Sequence, residues 1–477
     1  MLFVGREEEL AQMQSARRKD GASLILLRGR RRIGKSTLAQ VFGKEAATFL
    51  EFQGLPPRPG LTSREQLAAF SEQLAKQTGL PVLSLASWSQ AFSLLANQIR
   101  GGSTVVLLDE VSWLATGDRD FPGHLKVAWD LEFKKKKGLI LILCGSVNTW
   151  IEQNILNNTG FVGRISLAID LGPLPLHACE LFWGERRGRV SSLEKLKLLS
   201  VTGGVPRYLE EIQPERSAAA NIRRLCFRKE GFLFSEFPQI FSETLSSRSP
   251  VYEEICRALA QGDKSLCEIA AVLGRERSGV LSRYLHHLEV SGFVRKYSVY
   301  APGRASPSRH HKYRLVDNYS RFYLHHIDPL KEPIRQGLYA KASLDEILRW
   351  EVILGLQFEN LVVGNLPGLL RSIGVESSLV RSASPYFQRR TNRQKACQVD
   401  LLIQTKRTLY VCEVRCRSRI ERGVSEEVSR KIEALRVPSG MSIRPVLVYE
   451  GDLDPSIESE GYFDALVRFQ DLLAAKS

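Results

Sequence analysis

Over the first 168 residues, short runs of consecutive apolar residues alternate with stretches of helical spacing. Ser23–Leu27, Thr104–Leu108 and Leu139–Leu143 are such runs. They have strand length and no polar alternation, which predicts strands covered on both faces. Ser36–Phe42 follows the first run with helical periodicity. Strands of this kind separated by helices predict an α/β core, a parallel sheet between helical layers, over residues 1–168. From 169 to 245 the strand pattern stops. Helical spacing at Ser192–Ser200, then the breaker sequence Gly203-Gly204-Val205-Pro206-Arg207, predicts a small helical lid.

Residues 246–330 change pattern again. Val251–Gln261, Ser265–Leu273 and Ser278–Ser291 read as three helices. A hairpin follows, with Ala301-Pro302-Gly303-Arg304 at its tip and Lys312–Val316 returning. That order predicts a winged helix-turn-helix. Leu281, Tyr284, Leu285 and Leu288 share one face of the third helix and are expected in the core. In residues 331–477, Leu348–Leu366 is helical. Val399–Gln404 and Leu409–Arg415 are strands joined by a turn at Lys406–Thr408, and Arg444–Tyr449 is a further strand.

Composition alters the picture in one respect. The 477 residues carry 67 Lys and Arg against 52 Asp and Glu, a net charge of +15. Such a surplus favours anionic partners, with nucleic acid first among them. No apolar run approaches the ~20 residues of a bilayer span. The N-terminus lacks the basic and apolar regions of a secretory signal. Eight cysteines without a Cys-x-x-Cys pair read as reduced thiols. A cytoplasmic protein without membrane contact is therefore expected. The His-His pairs at 286–287, 310–311 and 325–326 lack metal-ligand spacing.

Gly29-Arg30-Arg31-Arg32-Ile33-Gly34-Lys35-Ser36 has the spacing of a phosphate loop. Its glycines let the backbone curl until N–H groups face phosphate oxygens. Lys35 would reach the β and γ phosphates and Ser36 would ligate Mg²⁺. The following helix would turn its positive N-terminus toward the same anions. Ile33 and Thr37 join Gly29, Gly34, Lys35 and Ser36 as expected nucleotide contacts. Arg30, Arg31 and Arg32 are read as facing solvent or backbone. ATP with Mg²⁺ is the expected ligand.

Val105–Leu108 runs into Asp109-Glu110. A strand buried on both faces carries charges only at its carboxyl end, where ligands sit in open α/β sheets. Asp109 would hold Mg²⁺ through water, and Glu110 would polarise the attacking water of a hydrolysis. The run Leu139–Leu143 ends in Cys144-Gly145-Ser146, and Ser146 is either a γ-phosphate sensor or a turn residue.

Taken in order, several motifs resemble the archaeal-type ATPases, prokaryotic P-loop proteins related to the AAA+ and STAND classes. They are Val4-Gly5-Arg6-Glu7-x-Glu9-Leu10, the phosphate loop, Leu108-Asp109-Glu110, Gly163-Arg164 and Gly203-Gly204-Val205-Pro206. The resemblance covers the whole chain. It implies a P-loop NTPase core with a helical lid, a winged helix-turn-helix, and a C-terminal α/β restriction-endonuclease-like domain. It also implies that Val4, Gly5 and Arg6 line the adenine pocket. Pro206 would close over the base, with Arg207 as a sensor. Arg164 would contact the γ-phosphate and can act from a neighbouring copy in a homo-oligomer.

Two further groups of residues bear on nucleic acid. Arg277, Ser278 and Arg283, at or near the third helix of the 246–330 segment, and Arg304 and Arg309 on its wing, are the expected DNA contacts. The other reading of that segment is a packing or protein-contact module. In the tail, Glu359 on a helix, Asp400 on one strand, and Glu413 with residue 415 on the next follow the PD-(D/E)xK nuclease order. Residues i and i+2 of a strand share a face, so Glu413 and residue 415 point alike. Asp400 and Glu413 would hold a divalent metal. Arg415 stands where that order has lysine. An arginine stays protonated and cannot serve as a base. Two functions fit: an ATP-driven switch acting on DNA, or a STAND-like signalling or assembly ATPase whose winged helix and inactive tail bind protein partners.

Overall fold

The computed structural model describes residues 2–474 except 101, 147–148, 246–248, 299–310, 345–347, 389, 391–394 and 436. The chain divides into two compact units, Phe3–Gly172 and Pro173–Ser477.

The first unit is built on a five-stranded parallel sheet. Its strands are β1 (Ser23–Gly29), β2 (Thr48–Gln53), β3 (Thr104–Asp109), β4 (Leu139–Ser146) and β5 (Ile165–Leu171), in spatial order β2-β3-β4-β1-β5. The three continuous apolar runs are the three inner strands. Successive side chains of a strand point to opposite faces, and the core follows that rule. Leu24, Leu26, Val106, Leu108, Leu141 and Leu143 enter one apolar layer. Ile25, Leu27, Val105, Leu107, Ile140 and Ile142 enter the other. The first layer is completed by Phe70 of α3 (Ser63–Thr78) and by Trp88 and Phe92 of α4 (Trp88–Gln98). There the rings of Trp88 and Phe121 meet edge to face at 4.9 Å. The second layer is closed by Met13 of α1 (Glu7–Arg17) and by Leu38 and Phe42 of α2 (Lys35–Lys44). β5 lies at the sheet edge and carries this unit to Gly172, past the expected limit of 168.

In the second unit the three helices are Ser249–Ala260, Leu266–Val272 and Gly279–Val290. They are followed by an antiparallel pair, β6 (Val294–Ser298) and β7 (His311–Leu315). Leu281, Leu285 and Leu288 are buried, and the ring of half-buried Tyr284 meets Tyr252 edge to face at 5.2 Å. The tail holds a mixed sheet in the order β12-β11-β10-β9-β8. Its strands are β8 (Ser382–Gln388), β9 (Cys397–Gln404), β10 (Thr408–Ile420), β11 (Ser442–Leu453) and β12 (Ala465–Arg468). β8, β9 and β10 pair antiparallel, whereas β10, β11 and β12 are parallel.

The sequence suggests three separate segments after residue 168, yet 173–477 is one unit. Buried amides join them. The Gln357 amide donates to the carbonyls of Ser200 at 3.0 Å and Asn318 at 2.8 Å. Asn360 donates to the Leu315 carbonyl at 3.2 Å. These bonds pair polar groups that are buried between the segments. Among the described residues no single helix is long and apolar enough to cross a membrane.

Candidate functional site

β4 lies between β1 and β3, so the carboxyl ends of these three strands are neighbours. Gly29 is in register with Ser146, and Leu108 with Leu143. This brings the phosphate loop, Ser146 and the Asp109-Glu110 pair to one edge of the sheet.

The loop leaves β1 at Gly29, where a Cβ would stand 2.6 Å from the Leu171 carbonyl oxygen. Only glycine fits that approach. Arg32 (φ 70°) and Gly34 (φ 89°) both adopt left-handed backbone, and α2 begins at Lys35. Left-handed steps of this kind turn successive N–H groups into one concavity suited to an anion. Lys35 is buried and its Nζ donates to the Arg30 carbonyl at 3.1 Å. The ammonium is thus folded back against the loop. Ser36 and Thr37 are half-buried on the first turn of α2, and Ile33 is fully buried beneath it. Arg30 is also buried, so it does not face solvent.

Asp109 is buried at the end of β3 and accepts the Glu110 backbone N–H at 3.0 Å. Glu110 has φ 47° and ψ 54°, a left-handed conformation rare for a residue with a side chain. Such outliers persist only where the surroundings hold them. Here the Glu110 carboxylate accepts the Ser146 N–H at 3.4 Å and the Ser146 hydroxyl at 3.3 Å. Burial raises the Glu110 pKa, opposed by the charge of Lys35 and reinforced by that of Asp109. Cys144, one layer below, is buried and its thiol is pushed far up, first by burial and then by Asp109. It remains a thiol.

The residues expected around a nucleotide base are placed as follows. Val4 and Gly5 lead into α1, and the Gly5 N–H donates to Glu7 at 3.2 Å. The buried Arg6 guanidinium donates to the carbonyls of Ile33 at 3.1 Å and Gly172 at 2.8 Å, and pairs with Glu9 at 3.1 Å. It ties the phosphate loop to the last residue of the unit, a role the motif alone did not reveal. Arg164 makes a two-point pair with Asp130, at 2.7 and 2.8 Å. This pair, with Lys126 beside it, pulls the Asp130 pKa down to about 2. Pro206 and Arg207 belong to the second unit. Pro206 opens a short helix, and Arg207 pairs with Glu210 at 3.3 Å and Glu211 at 2.7 Å. Gly204 has a packing reason of its own, because a Cβ there would stand 2.4 Å from the Leu174 carbonyl oxygen.

A second group of ionisable residues lies in the tail. The antiparallel register of β10 and β9 runs to Cys412 opposite Leu401, so Glu413 and Asp400 are the next residues along their strands, and Asp400 accepts the Val414 N–H at 2.9 Å. Both are buried. The two Glu413 oxygens accept from Lys431 Nζ at 2.8 and 2.7 Å, and Arg415 approaches one of them at 2.5 Å. Lys431 sits on the helix Gly423–Ala434, four residues after Glu427, which pairs with both Lys431 and Arg415. Glu359, on the helix Trp350–Gly364, pairs with Arg314 at 3.4 Å, and Arg314 is held in turn by Asp263 at 2.9 Å. Burial is the first cause of the raised pKa of Glu359, to about 8, and of Glu413, to about 7; the charge of Asp400 adds to both. Lys431 escaped the sequence reading because it lies outside the motif's spacing. Its one signal was the i, i+4 pairing with Glu427.

Of the expected DNA contacts, Arg277, Ser278 and Arg283 are exposed. The Ser278 hydroxyl caps the helix Gly279–Val290 by accepting the Leu281 N–H. Arg304 and Arg309 lie outside the described residues. Among the described residues no three His, Cys, Asp or Glu side chains are grouped so as to hold a metal ion.

No family model matches the chain. It is 23% identical over 363 residues to an uncharacterized protein of Methanocaldococcus jannaschii, covering 76% of each chain. Among solved structures it is similar to a Walker-type ATPase of Pyrococcus abyssi, at 20% identity and a TM-score of 0.47, over 67% of this chain and 95% of that one. It is also similar to the Aeropyrum pernix ORC2 protein, at 16% identity and a TM-score of 0.38, over 71% and 94% of the two chains. A third likeness is to a RuvB mutant of Thermotoga maritima, at 14% identity and a TM-score of 0.32, over 61% and 89%.

Proposed function

We propose that the first unit binds ATP with Mg²⁺ and hydrolyses it. One observation carries this reading: Lys35, Asp109, Glu110 and Ser146 meet at the adjacent ends of β1, β3 and β4, beside the N-terminus of α2. Lys35 would exchange the Arg30 carbonyl for phosphate oxygens. Asp109 and Ser36 offer the hard oxygen donors that Mg²⁺ takes, and the ion, when bound, offsets charge on the phosphates. Glu110, made less acidic by burial, accepts a proton from the attacking water. Ser146 fixes where that carboxylate points and senses the γ-phosphate. Arg164, once released from Asp130, contacts the γ-phosphate from its own or a neighbouring copy.

Hydrolysis would then change how the second unit grips DNA. The net charge of +15 and the exposed Arg277 and Arg283 support that partner. Phosphate release by the purified protein, with and without duplex DNA, tests the reading. Turnover stimulated by DNA supports it, and no turnover under either condition sinks it. A second reading, a STAND-like assembly ATPase with a protein-binding tail, is favoured by one feature: both oxygens of Glu413 are already engaged.

A further inference from the structure

We infer that the carboxylate pocket of the tail is locked by an internal cation: the Lys431 ammonium takes the two Glu413 oxygens that a divalent metal would need.

Glu413 is fully buried and accepts from three charged donor contacts, two from Lys431 and one from Arg415. Neither cation is a loose neighbour. Lys431 also pairs with Glu427 at 3.1 Å, and Arg415 pairs with the same carboxylate. Two cations and two carboxylates therefore form a closed, electrically balanced network. The other acids of the pocket are engaged as well. Asp400 accepts the Val414 N–H, and Glu359 faces Arg314, which Asp263 anchors. A metal ion would have to displace the ammonium and then sit beside the Arg415 guanidinium, whose charge cannot be discharged by losing a proton. The residues present thus do not fit a divalent metal, in line with the absence of a three-ligand group among the described residues. A pocket of about 130 Å³ lined by Arg415, Arg417 and Glu427 borders the outer pair of the network. Removing the one ammonium would leave buried Glu413 and Asp400 short of a positive charge, and a divalent cation could supply it.

The inference is independent of the nucleotide reading, since every residue lies in the second unit. The test uses the full chain, free of nucleotide, in an Asp109→Asn background that removes the anionic one of the two metal donors proposed in the first unit. Mn²⁺ binding is followed by the electron paramagnetic resonance of the free ion and by Tm. The background protein is expected to bind no Mn²⁺ in the tail, and its Tm should not respond to the ion. Adding Lys431→Met should create one site at least about tenfold tighter than anything in the background, with a Tm rise of about 2 °C or more at saturation. Adding Asp400→Asn should abolish that site. Lys431→Gln, which keeps a hydrogen-bond donor, is the second variant and should behave alike. Mn²⁺ bound by the background and lost on Glu413→Gln overturns the inference, and this arm needs no lysine variant to fold. It is equally overturned if either folded lysine variant binds Mn²⁺ no better than the background.

Discussion

Replacing Glu110 with glutamine separates the proposed chemistry from the architecture around it. Glutamine has the same shape: its carbonyl oxygen can still accept the Ser146 N–H, which now meets one carboxylate oxygen at 3.4 Å, and its amide N–H can donate to the Ser146 hydroxyl, which now donates to the other at 3.3 Å. What disappears is the charge and the capacity to take a proton. A positioned general base contributes on the order of 10²–10⁴-fold, about 3–5 kcal/mol of barrier. Turnover by Glu110→Gln should fall within that range, while ATP affinity stays within about threefold, because the residue is not a phosphate ligand. A phosphate-release assay gives the first quantity and calorimetric titration the second. The wild-type rate should rise with pH through a value above that of an ordinary glutamate, since burial raises its pKa and the ionised form is the base. The same shift predicts a gain in stability for the variant. A carboxyl with a raised folded pKa contributes stability in full below its unfolded value and loses it as pH rises through the folded value. Above that point the wild type carries a buried charge that glutamine lacks, so the nucleotide-free variant should melt higher. A variant that hydrolyses ATP within a few-fold of wild type would refute the role given to Glu110.

Three other outcomes follow from the same geometry. Arg6→Met should leave the buried Ile33 carbonyl without its Arg6 donor, at about 1–3 kcal/mol, while the carbonyl of exposed Gly172 can turn to water; the loss is seen as a lower denaturant midpoint for the first unit, and an unchanged midpoint contradicts the role given to Arg6. If Arg164 acts across subunits, mixing Arg164→Ala with Lys35→Ala protein should recover part of the turnover that each lacks alone, and a mixture no better than its components assigns Arg164 to its own chain. Burial holds the Glu359 pKa near 8 against an ordinary 4.5, so the folded protein keeps a proton the unfolded chain loses. Stability from this group is complete below about 4.5 and declines as pH rises toward 8; Glu359→Gln should flatten that part of the Tm profile, and an unaltered slope speaks against it.

The inner strands of the first sheet were legible because burial on both faces leaves an unbroken apolar run, as in Leu24–Leu27 and Val105–Leu108. β2 and β5, at the edges, alternate exposed and buried positions over few residues, and their pattern is too weak to see. The loop from Gly29 to Ser36 and the acids ending β3 were legible in the sequence because the chemistry proposed for them demands a fixed spacing. Arg6 and Lys431 were not, since each acts on a distant segment: Arg6 on residues 33 and 172, Lys431 on a strand passed 18 positions earlier. The unity of residues 173–477 was hidden for the same reason. It depends on amides such as Gln357, whose partners at 200 and 318 no local pattern announces.

Everything proposed for the first unit requires that the loop around Lys35 hold the phosphates of ATP. Equilibrium binding of ATP with Mg²⁺ to the purified wild type and to Lys35→Ala tests it most directly. Saturable binding is expected for the wild type, weakened by at least about a hundredfold in a variant that remains folded. Tight ATP binding by that variant would contradict it.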